Sequence, residues 1–449
     1  MASAAEQLAS HINFANFAKA TELKKRIWFT LGALVIYRLG TYIPLPGIDP
    51  TILQDIFSQQ SGGILDIFDT FAGGAFSRMT IFALNIMPYI SAMIIMQLLT
   101  AVSPYFEALK KEGESGRKKM NQYTRYGTVL LAALQAYGIS VGLEGMTGSQ
   151  GSAVQDPGLF FRSTTVITLV GGTIFLMWLG EQITARGVGN GISLIIFSGI
   201  VAGLPGALAG TLELGRTGTF GAGFIILLLV LAVVTITTIV FVERAQRRIV
   251  VQYPKRQVGN KMFGGESSHI PLKLNTAGVI PPIFASSLLL LPMTVAGFSA
   301  ASDTGSDWLA AVTAYLGRGQ PLYMLLYAAL VIFFAFFYTA VVFNPVETAD
   351  NLKKYGGFVP GIRPGKNTAD FLDYILTRLT VVGSLYLATI SIMPEILISQ
   401  YSVPFYLGGT SLLIVVTVTM DTVAQVQSHL LAHQYEGLIK KSKLRGRRG

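Results

Sequence analysis

The sequence predicts an all-α polytopic membrane protein of ten transmembrane helices. Three observations predict it: a deficit of charge, ten apolar runs of near-spanning length, and basic residues crowded into alternate gaps. Only 13% of residues are charged and 51% are hydrophobic, whereas a soluble globular chain carries about 25% charged residues. A soluble chain of 449 residues would divide into several cores joined by polar linkers; here apolar stretches recur from Trp28 to Ala424 with only short breaks. The lack of cysteine excludes disulfides, thiol catalysis and Cys-ligated metal centres. With four histidines, no metal site or cofactor is expected. The first 26 residues end in Lys24, Lys25 and Arg26 and lack the short apolar core and cleavage site of a removable signal peptide, so the first span is expected to be retained.

A helix needs about 20 apolar residues to cross the hydrocarbon, because backbone groups cannot be left unsatisfied in lipid. The runs that qualify or nearly do are Ile27–Ile43, Met79–Ala101, Thr124–Leu143, Phe160–Gly180, Ile192–Leu212, Phe220–Val242, Thr276–Phe298, Leu322–Phe343, Leu372–Met393 and Pro404–Ala424. One set of alternate gaps holds 29 of the 34 Lys and Arg: four up to Arg26, six from Lys110 to Arg125, Arg186, seven from Arg244 to Lys273, five from Lys353 to Arg378 and six from Lys440 to Arg448. The other gaps hold Arg162, Arg216 and Arg318, while Arg38 and Arg78 lie within or beside spans. The positive-inside rule then puts both termini in the cytoplasm, as an even number of crossings requires. The net charge of +10 is thus mostly topological.

Between the first two spans, Pro44 to Ser77 carries Asp49, Asp55, Asp66 and Asp69 but no Lys or Arg. Within it, Gly62 to Gly74 reads as a short amphipathic helix bracketed by glycine pairs, too short to span and too apolar to float in water. It is either an interfacial helix or a re-entrant element folded into an aqueous vestibule. Proline interrupts two spans in matching surroundings: Asn85-Ile86-Met87-Pro88-Tyr89-Ile90-Ser91-Ala92 aligns with Gly278-Val279-Ile280-Pro281-Pro282-Ile283-Phe284-Ala285. Each lies in the second span of a set of five. The chain therefore divides into an arm (1–26), two five-span halves (27–215 and 216–424) and a basic tail (425–449), with a pathway expected where the halves meet. Ile86 and Ile90 share a helix face, and Ile283 is the counterpart of Ile90.

Two inside loops are too long and polar to be mere connectors. In 243–273, Arg247 and Arg248 alternate with β-branched residues before the tip Pro254-Lys255-Arg256, which predicts a projecting, partly extended finger. In 344–368, Pro360-Gly361-Ile362-Arg363-Pro364-Gly365 predicts a tight turn that presents Arg363 outward. A guanidinium so placed suits phosphate or carboxylate on a partner, ribosomal RNA included. The alternative use of these cations is topology and contact with anionic membrane lipids.

The stretches 110–117, 122–127, 178–184, 187–193 and 408–414, taken with both loops, resemble the SecY translocon family in order along nearly the whole chain. The resemblance implies an hourglass with two pseudosymmetric halves around a central channel, a lateral gate between the second/third and seventh/eighth spans, and a plug in the outer funnel. Ile86, Ile90, Ile196, Ile283 and Ile414 match the constriction, and residues 64–76 match the plug, with Ile64, Leu65, Ile67, Phe68, Phe71, Gly73 and Gly74 as its candidates. Arg363, Lys255 and Arg256 match the surface that receives the SecA motor or the ribosome; Ser91, Gln97 and Asn275 are the polar gate candidates. Asn260 stands where relatives carry a basic residue, and the outer segments 145–156 and 300–320 match poorly. SecE and SecG are implied as membrane subunits, with signal peptides and nascent polypeptides as clients, in a bacterial inner membrane.

A ring of branched aliphatic side chains has no group to hold an ion, so a narrow collar of isoleucine would exclude ions by dewetting and yield to a polypeptide. Burial of an apolar signal segment, at about 25 cal/mol per Å², would favour an open gate. A secondary transporter also has two halves and interrupted helices, but needs mid-membrane ionisable residues that are scarce here. No Gly-x-Ser-x-Gly elbow, His-Glu-x-x-His motif or mid-span aspartate pair supports an intramembrane hydrolase, and no enzyme activity is expected.

Overall fold

The computed structural model describes residues 21–49, 51–53, 69, 71–145, 147–148, 151–217, 221–254, 256–258, 261–263, 267–289, 320–401 and 409–445. Twelve helices carry the architecture of these residues: α1 (Thr21–Gly40), α2 (Met87–Val102), α3 (Pro104–Lys111), α4 (Glu114–Gly145), α5 (Leu159–Arg186), α6 (Gly191–Arg216), α7 (Ala222–Arg244), α8 (Ile280–Leu289), α9 (Pro321–Val342), α10 (Pro345–Lys354), α11 (Lys366–Tyr401) and α12 (Gly409–Arg445). Each apolar run read from the sequence overlaps one of them; α3 and α10 are additional and polar. Among the described residues, α4, α5, α6, α7, α9, α11 and α12 are long and apolar enough to span alone. Helix α1 is loaded with cations at its start, and α8 is followed by residues outside the described set.

The second span differs from its expected bounds. Helix starts only at Met87 rather than at Met79, and the stretch before it is a series of turns in which Met79 and Asn85 adopt φ of 41° and 49°. Pro88 therefore does not interrupt a helix; it opens one. The lack of a proline N–H costs nothing where the first turn has no partner for it. Pro281 and Pro282 occupy the same place at the start of α8, so both proline sites are helix starts in place of mid-helix kinks. After α2, Ser103-Pro104 breaks the helix, and α3 leaves at 99°.

Several hydroxyls inside the spans are satisfied along the chain: Thr128, Thr173, Thr211, Thr339 and Thr380 each donate to the carbonyl four residues back. In the first half, α4 packs on α5 and α2, and α5 on α6 and α1; in the second, α9 packs on α11, and α12 on α11 and α7. The halves meet where α6 lies against α12 and α7, and α12 against α1. The loop 187–190 ties this seam: the Val188 amide donates to Thr30 Oγ1 (3.0 Å) on α1, and the Gly189 amide to Gln425 Oε1 (2.8 Å) on α12.

Short strands form three two-stranded antiparallel ladders: β1 (Thr147–Gly148) with β2 (Gly151–Ser152), β3 (Gln246–Gln252) with β6 (Ser267–Lys273), and β4 (Arg256–Val258) with β5 (Lys261–Phe263). The long ladder runs from Gln246↔Lys273 to Gln252↔Ser267, with Ile249 opposite Ile270. The finger read from the alternating arginines is thus a β-hairpin arm.

Candidate functional site

One continuous apolar cluster fills the centre of the helices. It contains Ile86, Ile90, Ile196 and Ile414, all under 5% exposed, and Ile283 packs against it partly buried. Four of the five isoleucines therefore lie deep in the protein. They come from both halves: Ile86 caps α2, Ile90 follows one turn later and its amide donates to the Ile86 carbonyl (3.1 Å), Ile196 lies on α6, and Ile414 on α12.

Of the plug-matching residues, Ile64, Leu65, Ile67 and Phe68 lie outside the described residues. Phe71, Gly73 and Gly74 lie within them. Phe71, Ala72, Ala75 and Phe76 belong to the same apolar cluster as the isoleucines. The chain reverses at Gly73 and Gly74, with φ of 64° and 80°, in the left-handed region that glycine enters without strain. The close approach is as demanding as the φ: a Cβ on Gly73 would stand 2.8 Å from the Gly199 Cα, and one on Gly199 2.6 Å from the Phe71 carbonyl. Asp69 fixes the turn, its Oδ1 accepting from the amides of Phe76 (3.0 Å) and Ser77 (2.8 Å). Sequence reading missed what surrounds this segment: Tyr37, Arg38, Arg78 and Asn85 each donate to one of its carbonyls. In the sequence Arg38 and Arg78 stand out only as cations within or beside spans.

The polar gate candidates behave differently from one another. Ser91 is buried on α2, and Gln97 on the same helix has its Oε1 buried with no partner among the described residues. Asn275, 3% exposed, joins neither; its Nδ2 donates to Glu243 Oε1 (2.6 Å) at the end of α7 and to the Gly278 carbonyl (3.1 Å), while its Oδ1 accepts from the Gly278 amide (3.1 Å). Asn275 thus locks the turn that leads into α8. In the sequence Glu243 marks only the edge of a loop.

On the side of the loops, Arg247 and Arg248 are exposed on β3, paired across the ladder with Leu272 and Pro271. Arg256 stands at the start of β4, and Lys255 and Asn260 lie outside the described residues. Arg363 is exposed in a turn between Gly361 (φ 83°) and Gly365 (φ 104°), and its carbonyl accepts from Thr368 Oγ1 (2.9 Å). Gln252 and Phe358 exchange backbone hydrogen bonds of 2.9 and 3.0 Å, which joins the finger to the second loop. Beneath that bridge Ile249, Leu272, Val359, Leu372 and Ile375 form their own apolar cluster. On the opposite side, the loop after α1 carries Asp49; the Thr51 hydroxyl and amide donate to its carboxylate and hold it below the usual carboxylate range.

A SecY family model matches residues 80–423. A protein translocase subunit SecY of Escherichia coli K12 is 57% identical over 427 residues, covering 95% of this chain and 96% of that protein. One from Rickettsia conorii is 55% identical over 432 residues, covering 96% and 99%. Among solved structures, a protein-conducting channel superposes with a TM-score of 0.66 at 17% identity, covering 91% of this chain and 92% of that one. The channel of a canine ribosome–channel complex from the endoplasmic reticulum gives 0.63 at 17% identity, with the same coverage. At that identity the likeness concerns the fold, and it is the ten-helix, all-α channel fold.

Proposed function

This chain belongs to the SecY family of protein translocase subunits, and from that premise we propose how its own residues form, seal and serve a polypeptide conduit. It is a pore-forming subunit, not an enzyme: it passes unfolded secretory polypeptides across a membrane and releases apolar segments sideways into lipid. Ile86, Ile90, Ile196, Ile283 and Ile414 are the collar. One observation carries this reading: isoleucines from both halves, distant in sequence, converge in one buried apolar cluster together with the segment that matches the plug. With no charge or hydrogen-bonding group at the narrowest point, a hydrated ion gains nothing to replace its water. Residues 64–76 act as the plug above the collar. A crossing polypeptide displaces it and parts the flexible side chains, which close around the chain as a gasket.

The gate lies between the second and third spans, α2 and α4, on one side and the seventh and eighth, α8 and α9, on the other; Ser91, Gln97 and Asn275 border it. Insertion of a signal segment there gains about 25 cal/mol for each Å² of apolar surface removed from water. The channel makes and breaks no bond, so the work of transport comes from partners. Arg247, Arg248, Lys255, Arg256 and Arg363 form the receiving surface for the SecA ATPase or the ribosome, SecE and SecG complete the membrane complex, and anionic lipids bathe the cytoplasmic rim of a bacterial inner membrane. The test is ion conductance of the purified complex in planar bilayers. Replacing Ile86 and Ile90 together by serine should make the resting channel leak; a double variant as tight as the parent protein would sink the collar.

A further inference from the structure

Four consecutive carbonyls of the chain, from Phe71 to Gly74, are each held by a side chain from outside the segment. Asn85 Nδ2 donates to the Phe71 carbonyl (2.6 Å), Tyr37 Oη to that of Ala72 (3.3 Å), Arg38 Nη1 to that of Gly73 (2.7 Å), and Arg78 Nε to that of Gly74 (2.6 Å), with Arg78 Nη2 adding a second bond to Gly73 (3.3 Å). The donors come from two places, α1 and the turns before α2. Carbonyls at a chain reversal have no helical partner, so in an apolar core each needs a donor from elsewhere. Both guanidiniums lie over the ring of Tyr42, 5.4 and 4.1 Å from its centroid, which holds them side by side despite their like charge.

We propose that Tyr37, Arg38, Arg78 and Asn85 form a latch that fastens residues 71–74 in the closed position and sets how readily this segment leaves the collar. The inference rests on the reading of this segment as the plug and adds what holds it. The two sides of the latch differ in kind. Arg38 and Arg78 border a cavity of about 450 Å³ lined also by Asp69, Gly73, Gly74 and Leu204, so on release they exchange a carbonyl for water. Asn85 and Tyr37 are 2% and 0% exposed, and their bonds break only when the apolar cluster itself parts. Asn85 is also held at φ 49°, with its Oδ1 buried and lacking a partner among the described residues. Glycine would suit that backbone better; what asparagine adds is the donor to Phe71.

Because the chain has no cysteine, Ala72→Cys gives a single reporter inside the segment, 1% exposed in the closed form. The full chain in inverted and right-side-out membrane vesicles is treated with a membrane-impermeant maleimide. Labelling from the outer side should quicken about tenfold for each latch bond removed by Asn85→Gly or Arg38→Gln, the scale of one hydrogen bond with a buried or charged member. Arg38→Lys should restore protection, since it returns a cationic donor. Tyr37→Phe, which removes only the hydroxyl that donates to Ala72, should quicken labelling too without disturbing the packing of the ring; labelling at the parent rate would remove Tyr37 from the latch. An Asn85→Gly, Arg38→Gln double variant labelled at the parent rate overturns the latch. Resting ion conductance of the same variants separates the two readings: faster labelling with unchanged conductance supports the latch and refutes the segment as the seal.

Discussion

A single side chain, Asn275, shows how a buried polar group can be committed to one geometry. Its amide spends both ends on the turn into α8 and on Glu243, whose carboxyl is 8% exposed. Removing it by Asn275→Ala leaves a buried carboxylate facing an empty site, at a cost of about 2 to 3 kcal/mol. The thermal aggregation midpoint of the detergent-purified complex should fall accordingly. Glu243→Gln keeps a carbonyl acceptor for the same amide and should lower it much less. Equal losses from both substitutions would show that the pair does not act through this bond. Asn275 was legible in the sequence because its surroundings follow a family pattern. Glu243 was not: it lies 32 positions away, and nothing in a one-dimensional string says that the end of one helix will close on the start of the next.

The β3–β6 ladder and the loop after α10 form one body. The Gln252–Phe358 bridge and the cluster of Ile249, Leu272, Val359, Leu372 and Ile375 fix the β3–β6 arm against the turn that carries Arg363. Gly357 is where they touch most closely, since a Cβ there would stand 2.9 Å from Tyr253 Cε1 and 3.2 Å from Val251 Cγ1. Gly357→Val should therefore loosen the arm, by roughly 1 to 3 kcal/mol of overpacking, and speed proteolytic nicking of the finger as well as lowering motor-driven precursor import into vesicles. Arg363→Glu should lower import to a similar degree with no change in nicking, because it alters charge on an exposed turn. Import at the parent level in the Arg363 variant would remove that residue from the receiving surface. Alternation of arginine with β-branched residues made the finger readable, and Pro-Gly spacing the turn. The helices α3 and α10 went unread although Ser103-Pro104 and Asn344-Pro345 are ordinary helix starts, with Asn344 Oδ1 accepting from the Val346 amide at 3.1 Å. A search tuned to apolar runs passes over short polar helices. The opposite error befell the second span, where apolar composition from Met79 onward reads as helix while left-handed residues at Met79 and Asn85 hold it in turns.

Across the whole molecule, the placement of charge is a statement about orientation. The few cations assigned to the outer side are not free. Arg162 is paired with Glu144 at 2.6 Å, Arg216 with Glu213 at 2.6 Å, and Arg38 and Arg78 are spent on carbonyls of the segment 73–74; Arg318 lies outside the described residues. On the other side, Arg247, Arg248 and Arg363 are exposed, with no carboxylate within ion-pair distance among the described residues. Such cations remain available to anionic headgroups and to the negative-inside potential, which is what the orientation rule depends on. The crowding of cations into one set of gaps predicts a single outcome in a chain without native cysteine. Ser152→Cys and Gln320→Cys should react with an impermeant maleimide added to intact cells, whereas Ser267→Cys and Tyr355→Cys should react only after the membrane is permeabilised. The reverse pattern would invert the molecule and would put the Arg363 surface beyond reach of any cytoplasmic partner.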